Sequence, residues 1–176
     1  MVVITMNKNE IKNIKECLYY EKLPNGLEVY MVPKNSLNDV YVSFTTKYDG
    51  VHNEFVPANK DNMIKVPYGI AHFLEHKMFE QESGIDPFSF FAETGTYCNA
   101  FTNYYNTSYL FAGNKEIEKN LCFLLDFVQS PYFTDENVEK EKGIIEQEIK
   151  MYDDIADRVI FEKLLFNLFA TNPVKY

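Results

Sequence analysis

Hydrophobic and polar positions switch along the chain between a period of two and a period near 3.6, and each switch marks an element. From Leu18 the pattern is that of a strand. Beyond the turn residues Pro24, Asn25 and Gly26, Leu27, Val29 and Met31 alternate with Glu28 and Tyr30, which predicts a hairpin. Residues 40–48 (VYVSFTTKY) are β-branched and aromatic and predict a further strand, followed over 49–66 by a polar, punctuated loop. The period then becomes helical: in GIAHFLEHKMF, residues 69–79, Ile70, Phe73, Leu74 and Met78 recur at helical spacing. Asp86 followed by Pro87 predicts a capped short helix to about Glu93, ended by Gly95. Residues 96–102 and 107–112 predict a second hairpin around the polar tip 103–106. Asn114 is the predicted cap of a helix to Gln129, stopped at Ser130 and Pro131. Thr134, Asp135 and Glu136 open a long helix to at least Tyr152 and, with a break, to Ala170. Residues 172–176 have strand character. The fold expected is α+β, a largely antiparallel sheet with helices packed on one face, in one domain spanning residues 1–176.

Composition narrows the function classes. With 46% hydrophobic and 24% charged residues in 176, the chain is a folded globular one, long enough for one core. Seventeen basic against 26 acidic residues give a net charge of −9, and the only arginine is Arg158, so a nucleic-acid partner is not expected. Cys17, Cys98 and Cys122 are odd in number and far apart, which excludes a disulfide framework or a thiolate metal site and favours a reducing compartment, the cytoplasm. The apolar start of the chain is interrupted from Asn7 onward, too early for an export signal, and no stretch approaches the roughly 20 apolar residues of a membrane span. A soluble chain without a membrane partner is predicted.

His72, Phe73, Leu74, Glu75 and His76 are the most informative stretch. Histidines four apart on a helix stand one turn above each other on one face, so that two imidazoles converge on one metal ion. Catalytic zinc takes three protein ligands and leaves a position for water, and a carboxylate beside the ligands takes the water's proton. Glu75 is placed for that role. H-x-x-E-H is the inverzincin pattern, a recognised signature of zinc peptidases. The third histidine, His52, lies in the polar loop without a ligand partner at useful spacing, and is expected in solvent.

The third ligand must come from elsewhere, and VEKEKGIIEQEIKMY (138–152) offers four glutamates. At about 100° per residue, Glu141 and Glu148 lie within roughly 20° of each other. They share the face of Val138, Ile145 and Tyr152, while Glu139 and Glu146 point away. A carboxylate on an apolar face requires a cation or a hydrogen-bond donor. Either Glu148 or Glu141 is therefore the ligand, and the other orients an imidazole.

GIAHFLEHKMF, CNAFTNYYNTSYLF and VEKEKGIIEQEIKMYDD follow the order and spacing of the pitrilysin/insulysin family of zinc metallopeptidases, which the chain resembles from about Leu18 onward. Within that family it looks most like bacterial members associated with 5-aminopentanol modification of elongation factor P. The resemblance implies that Zn²⁺ is held by His72, His76 and Glu148, that Glu75 is the catalytic base, and that Glu141 is an active-site residue beside the ligands. It also implies that Asn99, Ala100, Phe101 and Thr102 form the strand to which a peptide or protein substrate adds, in keeping with the ability of an edge strand to bind extended peptide. Family subunits are more than twice this length, and an Arg and a Tyr from a second homologous region help hold the substrate. Arg158 does not match that arginine. The chain is therefore expected to be the N-terminal fragment of a longer subunit, whose site is completed by a second homologous half or a partner subunit. The function implied is a zinc endopeptidase, and the competing class is a non-catalytic peptide-binding or assembly subunit.

Overall fold

The computed structural model describes residues 6–58 and 60–175. Its contacts gather into two compact units, Met1–Asn38 and Asp39–Tyr176. The first is an antiparallel meander of β1 (Asn7–Ile11), β2 (Glu16–Lys22) and β3 (Glu28–Met31). Gly26, at φ 90°, supplies the left-handed residue that the turn between β2 and β3 requires. The hairpin expected from Leu18 is β2 and β3. Strand β1 was not predicted, because its pattern is polar and all five of its residues are exposed.

The second unit holds the site. Its sheet runs β4 (Val40–Thr46), β8 (Thr107–Gly113), β7 (Tyr97–Thr102), antiparallel throughout, so β8 is central and β7 is an edge. The residues 49–66 expected as loop contain a two-stranded ribbon, β5 (Glu54–Phe55) with β6 (Ile64–Lys65). Helices α1 (Ile70–Met78), α2 (Pro87–Glu93) and α3 (Ile117–Phe127) pack on the sheet around Met78, Phe91, Cys98, Tyr109, Phe111, Leu124 and Phe127. Alternation along β7 turns Cys98, Ala100 and Thr102 inward and Tyr97, Asn99 and Phe101 outward. The mixed architecture is the α+β fold expected.

Local chemistry explains the helix ends. Asp86 accepts from the N–H groups of Phe88 and Ser89, and Pro87 opens α2, as the sequence predicts. A capping box between Thr134 and Asn137 starts α4 (Asp135–Asp153), and the chain breaks before α5 (Ala156–Leu168). Asn114 is not the start of α3. Its Nδ2 donates to Asp39 Oδ1 at 2.8 Å beside the end of β8, and the chain turns through Glu116 at φ 49° before the helix begins at Ile117. Inside, Asn120 is fully buried, donating to Thr96 Oγ1 (2.8 Å) and the Lys115 carbonyl (3.1 Å) while accepting from Thr94 Oγ1 (3.0 Å). The strand expected over 172–176 is instead a 3₁₀ turn at Pro173–Lys175, with Tyr176 outside the described residues. Among the described residues no helix is long and apolar enough to cross a membrane.

Candidate metal centre

Helix α1 presents its chemistry because it begins at Gly69, whose φ of 82° lets the chain turn into the helix from the preceding loop. Its 3.6-residue period stacks His72 and His76, ring centroids 4.6 Å apart, with their Nε2 atoms 3.1 Å from each other. Helix α4 packs against α1 and turns one face inward. Along that face Val138, Ile145, Glu148 and Tyr152 are half-buried and Glu141 is buried. Glu148 Oε1 lies 3.8 Å from His72 Nε2, and Glu148 Oε2 lies 3.5 Å from His76 Nε2. Glu141 Oε1 lies 2.9 Å from the other ring nitrogen of His76, Nδ1. Glu139 and Glu146 sit outside, each paired with an exposed lysine of the same helix, Lys142 and Lys150.

The donor set fits zinc. Tetrahedral bonds of about 2.0 to 2.1 Å put neighbouring ligand atoms about 3.3 Å apart. The three separations of 3.1, 3.5 and 3.8 Å bracket that value. One ligand atom from each of His72, His76 and Glu148 falls within 4.8 Å of the other two. With Nδ1–H of His76 donated to Glu141, the lone pair of the neutral ring is on Nε2, the atom facing the cluster. Two imidazoles against the carboxylates of Glu75, Glu141 and Glu148 leave an excess of negative charge that a divalent cation offsets. The side chains of His72, His76 and Glu148 are 36%, 25% and 23% exposed, so the cluster opens to solvent on one side.

Glu75, about 60° round the helix from His72, reaches the sheet. It is 8% exposed, and its Oε2 accepts a 2.6 Å hydrogen bond from the Thr102 hydroxyl at the end of β7. Sequence reasoning grouped Thr102 with Asn99, Ala100 and Phe101 and missed this contact. On the outer side of β7, Ala100 N–H donates to Asn99 Oδ1 (2.9 Å) and Asn99 Nδ2 to the Tyr97 hydroxyl (2.6 Å). Phe101 is exposed. Below the strand, burial pushes the Cys98 thiol up to about 12, with Asp86 adding to the effect. Burial also raises Tyr109, with the Glu75 charge adding to it. His52 is 72% exposed and stays away from the cluster; its ring and backbone N–H bond Asp49. Burial acts to raise the Asp49 carboxyl, but the N–H groups of His52, the His52 ring and Val51 N–H outweigh it and hold the group below its usual range. Arg158 lies over the Tyr152 ring at 3.9 Å and binds Glu162, both contacts on α4 and α5 themselves.

Residues 65–176 match the family model described as insulinase, peptidase family M16. The chain belongs to the M16 peptidase family. A zinc protease of Bacillus subtilis, YmfH, described as uncharacterized, is 50% identical over 166 residues, which is 94% of this chain and 39% of that protein. The beta subunit of the mitochondrial-processing peptidase of Saccharomyces cerevisiae is 28% identical across 87% of this chain and 32% of its own. Among solved M16 structures, an M16-like peptidase from Alicyclobacillus acidocaldarius superposes with a TM-score of 0.83 at 40% identity, covering 99% of this chain and 38% of that one. Pitrilysin shares the fold, with a TM-score of 0.72 at 15% identity over 96% of this chain and 18% of its own. The chain thus spans about two-fifths of YmfH and of the Alicyclobacillus peptidase, and YmfH is named a zinc protease.

Proposed function

We propose that the protein is a zinc endopeptidase in which His72, His76 and Glu148 hold the metal, Glu141 orients His76, and Glu75 is the general base. The observation that carries the reading is the convergence of two imidazole Nε2 atoms and one carboxylate within 4.8 Å, with a buried glutamate next in sequence. Zinc, when bound, supplies Lewis-acid chemistry, polarising a carbonyl and making an attacking water more acidic. The chain's own residues do the rest. Glu75 takes the water's proton and returns it to the leaving amine. Glu141 holds the His76 ring in the tautomer that keeps Nε2 free. The edge of β7 accepts the substrate as an added strand through the backbone of Asn99, Ala100, Phe101 and Thr102, the Asn99 side chain moving off Ala100 N–H as the peptide arrives.

The full-length protein carries this activity, with a second homologous half or partner subunit closing over the peptide, and it works in the cytoplasm, where its three cysteines stay unpaired. The test is Glu75→Gln in the full-length protein, which keeps the shape but cannot take the proton. Zinc is expected to stay stoichiometric while turnover falls at least about 100-fold, the lower end of what a positioned base supplies. Stoichiometric zinc without cleavage by the wild-type protein, alone and with its partner, would select the non-catalytic binding subunit instead.

A further inference from the structure

We propose that Thr102 is a positioning residue for the catalytic base: its hydroxyl, at the anchored end of β7, fixes the carboxylate of Glu75 so that only one of its oxygens is left to serve the reaction. The inference rests on the reading of Glu75 as the base and extends it to a side chain of the sheet.

The Thr102 hydroxyl has one hydrogen and two lone pairs. It donates that hydrogen to Glu75 Oε2 at 2.6 Å. Thr107 Oγ1 lies 3.1 Å from the Thr102 oxygen, but its own hydrogen is donated to the Tyr48 carbonyl at 2.8 Å, so the two hydroxyls pack against each other without sharing a hydrogen. Thr107 is buried, and it is the register partner of both Thr102 on β7 and Thr46 on β4. Thr107, against which the Thr102 hydroxyl rests, is therefore tied to the central strand and to the backbone beyond β4. The end of β7 is held a second time, because Gly50 N–H donates to the Asn103 carbonyl at 3.0 Å.

The two oxygens of Glu75 are consequently unequal. Oε2 is committed to Thr102, whereas Oε1 has no protein partner among the described residues and is not enclosed, since no fully enclosed side-chain oxygen is without one. Oε1 is thus the oxygen that reaches solvent from an otherwise buried side chain. A glutamate has three rotatable bonds, and its placement within a fraction of an ångström decides whether it meets the attacking water. The α1 backbone fixes where Glu75 starts. The Thr102 hydroxyl fixes where it ends.

The same threonine belongs to the strand expected to pair with substrate, through its backbone. Backbone and side chain serve different partners, since alternation along β7 turns the Thr102 side chain inward toward α1. A peptide lying along the edge and the base that attacks it are in this way referenced to one residue.

The experiment uses full-length zinc-loaded protein as wild type, Thr102→Val and Thr102→Ser. Valine keeps the shape and removes the hydroxyl; serine restores it. Expected are a fall in kcat of about 10- to 100-fold for Thr102→Val with KM and zinc content unchanged, and recovery to within about threefold of wild type for Thr102→Ser. Crystal structures of the three proteins supply a readout independent of turnover, with the Glu75 carboxylate in one orientation in wild type and Thr102→Ser and displaced in Thr102→Val. Should Thr102→Val not fold, Thr102→Ala carries the same expectations. A wild-type kcat without the hydroxyl, a rise in KM or loss of zinc in place of the kcat effect, or an unmoved carboxylate would overturn the proposal. If the wild-type protein cleaves no peptide, the peptidase reading fails by itself, and the carboxylate orientation in the three structures still decides whether Thr102 holds Glu75.

Discussion

Glu141 and Glu148 lie about two turns apart on one helix face yet meet different atoms of the same imidazole, and this separates their expected effects. Glu141→Gln weakens the acceptor that orients His76 and is expected to lower zinc affinity about 10- to 100-fold. Glu148→Gln is expected to lower it further, and Glu146→Gln, which only disrupts a surface pair with Lys150, to leave it unchanged. Zinc competition titrations on the three full-length variants check the order; equal losses from Glu146 and Glu148 would remove the assignment. The thiols give a test that needs no metal. Burial holds Cys98 up to about 12, so its thiolate is scarce and shielded, whereas Cys122 is exposed. Alkylation at pH 8 in native protein is expected at Cys122 and not at Cys98 until the protein unfolds, read by mass spectrometry of the labelled peptides. At this scale, contacts within one helix were legible in the sequence: His72 and His76 face each other because four residues make about one turn. The choice between Glu141 and Glu148 was not legible from spacing, which separates them by roughly 20° and says nothing of how α4 lies on α1. The Thr102 contact was less legible still. It spans 27 residues and depends on where β7 stops against the helix.

Elements show the same division between local and long-range causes. Helices α1, α2 and α4 start where caps and glycines predict, because those signals act within four residues. Helix α3 starts late because Asn114, a good cap by type, is spent on Asp39 across the sheet. The two-residue strands β5 and β6 were hidden in a polar loop for a similar reason, each being too short for a period and held by its partner. Helix α3 is tied instead by Asn120, whose amide bonds both threonines that flank Gly95. Removing that amide leaves buried hydroxyls short of partners, so Asn120→Ala is expected to cost about 1 to 3 kcal/mol. Asn114→Ala, at the exposed contact with Asp39, is expected to stay within about 0.5 kcal/mol. Chemical denaturation of the two variants, followed by helix signal, checks the contrast. A larger loss from Asn114 would mean that the sheet edge, not the buried amide, anchors the helix.

Exposed large apolar residues occur along the whole described chain, and α4 and α5 carry a dense run of them. On α4 and α5, Ile149, Met151, Ile160, Leu164, Phe166 and Leu168 are each more than half exposed, and α5 has no buried residue at all. A helix apolar on so many sides is one that packs within a larger body. The relatives that match most of this chain are more than twice as long as the part matched. The candidate metal cluster opens to solvent, and the single arginine, Arg158, is engaged on α5 instead of reaching toward it. Rate enhancement at zinc depends on positioning the peptide and excluding water as well as on the ion. Residues 1–176 expressed alone are therefore expected to bind zinc but to cleave peptide at least about 100-fold more slowly than the full-length protein at equal zinc occupancy. They are also expected to self-associate through the α4 and α5 surface, which would show as concentration-dependent sedimentation. Adding candidate partners should raise the rate of the full-length protein and leave that of the segment low. Comparable rates from segment and full-length protein would show that the cluster on α1 and α4, with β7 beside it, is sufficient for catalysis without the rest of the chain.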